Sequence, residues 1–116
     1  MLTRLFFSFI ATGILVMPGS AFAADPLLLS IQDNRFEPEL LAVPAGVKLK
    51  LMIRNPGDLP VEFESTDLSR EVIVRGHGEA TIYVGPLDPG SYRFFNDFNR
   101  EMQGTIVAKP DAGKED

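Results

Sequence analysis

Apolar and charged residues alternate along Val47-Lys48-Leu49-Lys50-Leu51-Met52-Ile53-Arg54, and again along Val61-Glu62-Phe63-Glu64. A period of two sends successive side chains to opposite faces, so each run predicts a strand with one face in a core and one in water. In the second run Glu62 and Glu64 share a face and Phe63 takes the other. Further short apolar or β-branched segments read as strands: Leu27–Ile31, Leu41–Val43, Glu71–Val74, Glu79–Val84, the run from Gly90, and Gly104–Ala108. Arg35–Leu40 carries one core-type aromatic, Phe36.

Turn chemistry separates these segments. Asp33-Asn34, Pro44-Ala45-Gly46 and Asn55-Pro56-Gly57-Asp58-Leu59-Pro60 are turns or loops, and Gly76-His77-Gly78 reads as a hairpin. Ser65-Thr66-Asp67-Leu68 has the residues of a capped single turn. Asp88-Pro89-Gly90-Ser91-Tyr92 has the pattern of a tyrosine corner, whose phenol bonds backbone across a Greek-key connection. No window holds a helical period over three turns. The pattern therefore predicts an all-β fold, an antiparallel Greek-key β-sandwich of about seven or eight strands.

The first residues are expected to lie outside that fold. Arg4, the apolar run Leu5–Val16, the breaker Pro18-Gly19-Ser20 and the small-residue site Ala21-Phe22-Ala23 follow the order of a secretory signal peptide over residues 1–23. The run is short for a membrane span, so no insertion is expected once it is cleaved. The domain is then placed at residues 24–109, with a polar tail over 110–116. Export of this kind predicts a periplasmic location.

Composition narrows the chemistry. The chain has 116 residues, a net charge of −5, one histidine and no cysteine. Loss of Arg4 with the leader makes the remainder more acidic, which argues against nucleic acid or an anionic membrane as a partner and suits cations. Without cysteine there is no disulfide and no thiolate chemistry. No Ser/His/Asp set, phosphate loop or zinc spacing is present.

Several segments carry a resemblance: Phe36-Glu37-Pro38, Val43-Pro44-Ala45-Gly46, Asn55-Pro56, Glu62-Phe63-Glu64, Leu87–Tyr92 and Met102-Gln103-Gly104-Thr105-Ile106-Val107. Together they resemble the cupredoxin-like domains of bacterial ferrous-iron uptake systems, including the EfeO-type domain and small periplasmic proteins that accompany iron permeases. The resemblance implies a cupredoxin-like sandwich whose metal loop lies between the strands at Gly90 and Gly104. In a blue-copper relative that loop supplies Cys, His and Met; here the positions read Asn96, Asn99 and Met102. The first His of such a site is expected near Glu62. A type 1 site needs two His and a Cys with a weak axial ligand, so it cannot form. The resemblance implies carboxylates instead.

The acids expected at one end of the sandwich are Glu62, Glu64, Asp67, Glu71, Asp97 and Glu101, with Met102 beside them. Oxygen donors suit hard cations. A carboxylate about 4 Å from an ion contributes roughly 4 kcal/mol per extra unit of charge at an effective dielectric near 20. Such a set favours ferric over ferrous iron and eases oxidation. Met102, a soft thioether, is a candidate for copper only. His77 reads as an exposed side chain, or as a group completing a site with a second protein. Three functions fit. One is iron binding with ferroxidase-like assistance from a partner, the partners implied by the resemblance being a periplasmic metal-binding protein and a membrane ferrous-iron permease. The others are a metal-free docking domain of that transport complex and a copper carrier using Met102.

Overall fold

Alternation along Leu49–Asn55 becomes a central strand with Leu49, Leu51 and Ile53 buried and Lys50 and Arg54 in water. Each such Leu or Ile contributes about 1.5–3 kcal/mol through removal from water. A computed structural model of the chain describes residues 26–110. The expected signal peptide and residues 111–116 of the tail lie outside the described residues. Nine strands follow in order: β1 Leu27–Gln32, β2 Arg35–Glu37, β3 Leu40–Pro44, β4 Leu49–Asn55, β5 Val61–Ser65, β6 Arg70–Val74, β7 Gly78–Val84, β8 Gly90–Asn96 and β9 Asn99–Lys109. They form a four-stranded sheet ordered β2-β1-β4-β7 and a five-stranded sheet ordered β3-β9-β8-β5-β6.

The all-β sandwich agrees with the expectation, and three details differ. There are nine strands, because the three-residue β2 pairs with β1 through Ile31↔Phe36 and its neighbours. The sheets are mixed rather than antiparallel: β1 runs parallel to β4 and β3 parallel to β9. The chain changes sheets between β2 and β3 and returns between β3 and β4. The third difference is the segment Gly76-His77-Gly78, which is a crossover and not a hairpin. β6 lies in the five-stranded sheet, while β7 pairs with β4 in the other. The loop after β4 holds that crossover in place. The His77 amide donates to the Gly57 carbonyl at 2.9 Å. Gly76 presses so close that a Cβ there would meet the Asp58 carbonyl oxygen at 2.1 Å.

Between the sheets sit Phe36, Phe63 and Phe94, all buried. Phe36 stands edge-on to Phe94 at 4.9 Å and to Phe63 at 6.3 Å between ring centroids. Pairs of this geometry add about 0.5–1.5 kcal/mol each beyond their buried area. At the reversal before β8, the Tyr92 hydroxyl donates to the Asp88 carbonyl at 2.8 Å, the tyrosine corner expected from the sequence.

Candidate metal centre

The same alternation that buries Phe63 presents Glu62 and Glu64 on the outer face of the five-stranded sheet, both half-buried. Antiparallel pairing of β5 with β6 sets Glu71 directly opposite Glu64 and diagonal to Glu62. From the other side, the β8–β9 turn delivers Asp97, whose amide donates to the Glu62 carbonyl at 2.9 Å. One carboxylate oxygen from each of Glu62, Glu64 and Asp97 lies within 4.8 Å of the others.

Crowding of like charge has an electrostatic consequence. A hydrogen bond with Glu71 is the chief reason that the Glu62 carboxyl is raised from 4.5 to about 7. Partial burial and the charges of Glu71, Asp97 and Glu64 push in the same direction. Glu62 is thus poised to exchange a proton for a cation near neutral pH. Arg100 limits the crowding, donating to Asp97 Oδ1 from Nε at 3.0 Å and Nη2 at 2.8 Å.

Of the expected residues, Glu62, Glu64, Asp97 and Glu71 come together, on the outer sheet face beside the β8–β9 turn. Asp67, Glu101 and Met102 are not among them. Asp67 Oδ2 accepts from the Arg93 amide at 2.8 Å, beside the turn that Ser65 Oγ caps by accepting from the Leu68 amide. Glu101 lines a separate hollow with Asp33 and Glu39, two acids that no sequence pattern singled out. Met102 is 5% exposed inside the sandwich. His77 is exposed, with Nε2 2.6 Å from Asp58 Oδ1.

The positions that the sequence resemblance assigns to a blue-copper loop lie on the other side of β5. Asn96, Asn99 and Met102 line one cavity of about 430 Å³. The β5 residue that lines it with them is the buried Val61, and Glu62 points away. In a strand a step of one residue changes the face, so Val61 borders the cavity while Glu62 belongs to the outer acidic group. The donors lining this cavity are amides, the Asp33 and Asp58 carboxylates and one thioether, with no thiolate and no imidazole, and they do not fit a type 1 copper ion. Asn96 fills the place with its own bonds. Its Oδ1 accepts from the Glu62 and Phe98 amides at 3.0 and 3.1 Å, and its Nδ2 donates to Met102 Sδ at 3.6 Å.

Comparison with known proteins agrees with this architecture. The family described as cupredoxin-like domain matches residues 5–108. An uncharacterized protein of Rickettsia prowazekii (strain Madrid E) is 42% identical over 80 residues, 68% of this chain and 64% of that protein. The chain thus spans just under two thirds of that relative's length. Amicyanin from Paracoccus versutus superposes with a TM-score of 0.60 at 15% identity, over 74% of this chain and 83% of amicyanin. The metal-binding domain of the Cu(I)-exporting P-type ATPase CopA of Streptococcus pneumoniae, solved with Cu(I), gives a TM-score of 0.59 at 12% identity. That match covers 72% of this chain and 84% of that domain. At such identities the likeness is one of fold.

Proposed function

The chain belongs to the cupredoxin-like domain family, and on that premise we propose that it is a periplasmic iron-handling protein of a ferrous-iron uptake system. It takes ferrous iron on the Glu62, Glu64 and Asp97 carboxylates, with Glu71 beside them, and passes it to a membrane iron permease. The observation that carries this reading is the convergence of three carboxylate oxygens from two separate segments within 4.8 Å. An all-oxygen set suits a hard cation. It stabilises the ferric state more than the ferrous one, because the extra charge interacts with every carboxylate.

Cation entry displaces the proton that Glu62 holds near neutral pH. Oxidation releases one electron per iron, and a single mononuclear site cannot store the electrons that reduction of oxygen demands. The acceptor therefore belongs to a partner, such as a periplasmic metal-binding protein with a copper site. Copper as cargo is the second reading. It is favoured by the shared fold of the Cu(I) domain of the ATPase and by Met102 in the cavity. One soft donor among amides and carboxylates makes a poor copper site, so iron is preferred.

Anaerobic calorimetric titration with ferrous iron separates these readings. Saturable binding that is lost in Glu62→Gln/Glu64→Gln supports the carboxylate site. Binding of Cu(I) but not iron, abolished by Met102→Leu, moves the function to copper. No uptake of either metal, with co-purification of a membrane permease, leaves a docking domain.

A further inference from the structure

The loop end of the sandwich carries two adjoining hollows. One is the cavity of about 430 Å³ described above, with Leu59, Pro60, Val61, Phe98 and Met102 as its apolar wall. The other, of about 510 Å³, lies between the β1–β2 turn and the start of β9 and presents the carboxylates of Asp33, Glu39 and Glu101. Asp33, Asn34, Asn99 and Met102 line both, so the hollows are one continuous groove. Its two halves differ in chemistry, with Asp33 shared between them and Asp58, paired with His77, at the edge of the first. At the apolar half Leu59 is 76% and Phe98 55% exposed, large side chains held in water beside a concave wall. At the acidic half Arg35 is the one base facing three carboxylates. Among the described residues none of those three carboxylates is in an ion pair.

We propose that this groove docks an extended segment of a partner protein in which apolar residues are followed by lysine or arginine. The occupant follows from complementarity. Leu59 and Phe98 gain by covering an apolar side chain, and the acidic half gains by receiving cations. The Asn34 and Asn99 amides lie where the halves meet, and offer both donors and acceptors to a peptide backbone. A second copy of this chain is disfavoured as occupant by its own net charge of −5. The groove uses none of Glu62, Glu64 or Glu71, so the proposal goes beyond the metal reading and stands or falls separately from it.

The test is titration of the ¹⁵N-labelled full chain with a synthetic octapeptide of leucine and valine followed by lysine and arginine. A control peptide carries glutamate in place of the bases. Expected are amide shifts at Asp33, Leu59, Phe98, Asn99 and Glu101 with the basic peptide and none with the control. Leu59→Ala/Phe98→Ala should weaken binding by about tenfold or more. Asp33→Asn/Glu101→Gln should weaken it by about threefold to tenfold and remove most of its salt dependence. All four side chains are exposed, and retained spectral dispersion confirms that the variants fold. Shifts confined to the Glu62–Glu64–Asp97 face, equal binding of the control peptide, or no shifts at all would overturn the proposal.

Discussion

The backbone amide of Asp97 donates to the carbonyl of Glu62 at 2.9 Å, which joins the β8–β9 turn to the start of β5 and places two carboxylates side by side. Asn96 strengthens the link by accepting from the Glu62 amide at 3.0 Å. Neighbouring residues of one loop thus serve two faces of the sheet. Asn96 faces the inner cavity, and Asp97 completes the acidic group outside. The inner cavity and the outer acidic group are thus connected through the backbone of Glu62.

Stability should depend on pH through Glu62. Its carboxyl titrates at about 7 in the folded chain against 4.5 for the ordinary group. Between those values the folded state keeps a proton that the unfolded state has lost. The contribution of this group is therefore full below the lower value and is lost as pH rises through the upper one. Thermal melts of metal-free protein should show this part of Tm falling from about pH 5 to about pH 8. Glu62→Gln should flatten that part of the profile and raise Tm at the alkaline end.

Arg100 competes with any cation for Asp97, through bonds of 3.0 and 2.8 Å to Oδ1. Its guanidinium also lies 5.3 Å from the centre of the Phe95 ring. Arg100→Gln should tighten ferrous binding by about threefold to tenfold at low salt and less at high salt. The fold should lose no more than about 1 kcal/mol, as for exposed pairs in general. Weaker binding in calorimetry would mean instead that Arg100 orders Asp97 for the metal.

Asn96→Ala removes the acceptor of two backbone amides, those of Glu62 and Phe98. Unfolding in urea should show a loss of roughly 1–3 kcal/mol, the cost of donors left without a partner. The same change should weaken cation binding, because Glu62 loses one of its two backbone ties. Unchanged metal affinity in a destabilised variant would separate the inner position from the outer face.

Gly104 lies against the Phe94 ring, where a Cβ would meet Cζ at 2.3 Å and the Glu39 carbonyl oxygen at 2.9 Å. Gly104→Ala should therefore cost about 1–3 kcal/mol by overpacking. Near-ultraviolet circular dichroism should report the disturbed Phe36–Phe63–Phe94 group.

Local pattern carried much of this structure. Alternation in β4 and β5 fixed which side chains face the core, and the residues from Asp88 to Tyr92 announced their own hydrogen bond. Partnership between distant segments was not legible. Gly76-His77-Gly78 has the composition of a hairpin, yet its contacts with Gly57 and Asp58 send β7 to the other sheet. Parallel pairing of β1 with β4 leaves no mark in either segment. The acids divide along the same line. Glu62, Glu64 and Glu71 could be grouped by strand alternation and pairing, whereas Asp33 of the β1–β2 turn and Glu39 of the β2–β3 connection meet Glu101 only because both segments fold against β9. Strand alternation also sets Val61, and not Glu62, towards the cavity.

The most direct test of the carboxylate site is paramagnetic broadening of the ¹⁵N-labelled chain by substoichiometric ferrous iron under anaerobic conditions. Amides of Glu62, Glu64, Glu71 and Asp97 should broaden first, while those of Asn34 and Gly57, across the sheet beside the inner cavity, stay sharp. Broadening centred on Asn34, Gly57 and Met102, or an unaltered spectrum, would contradict it.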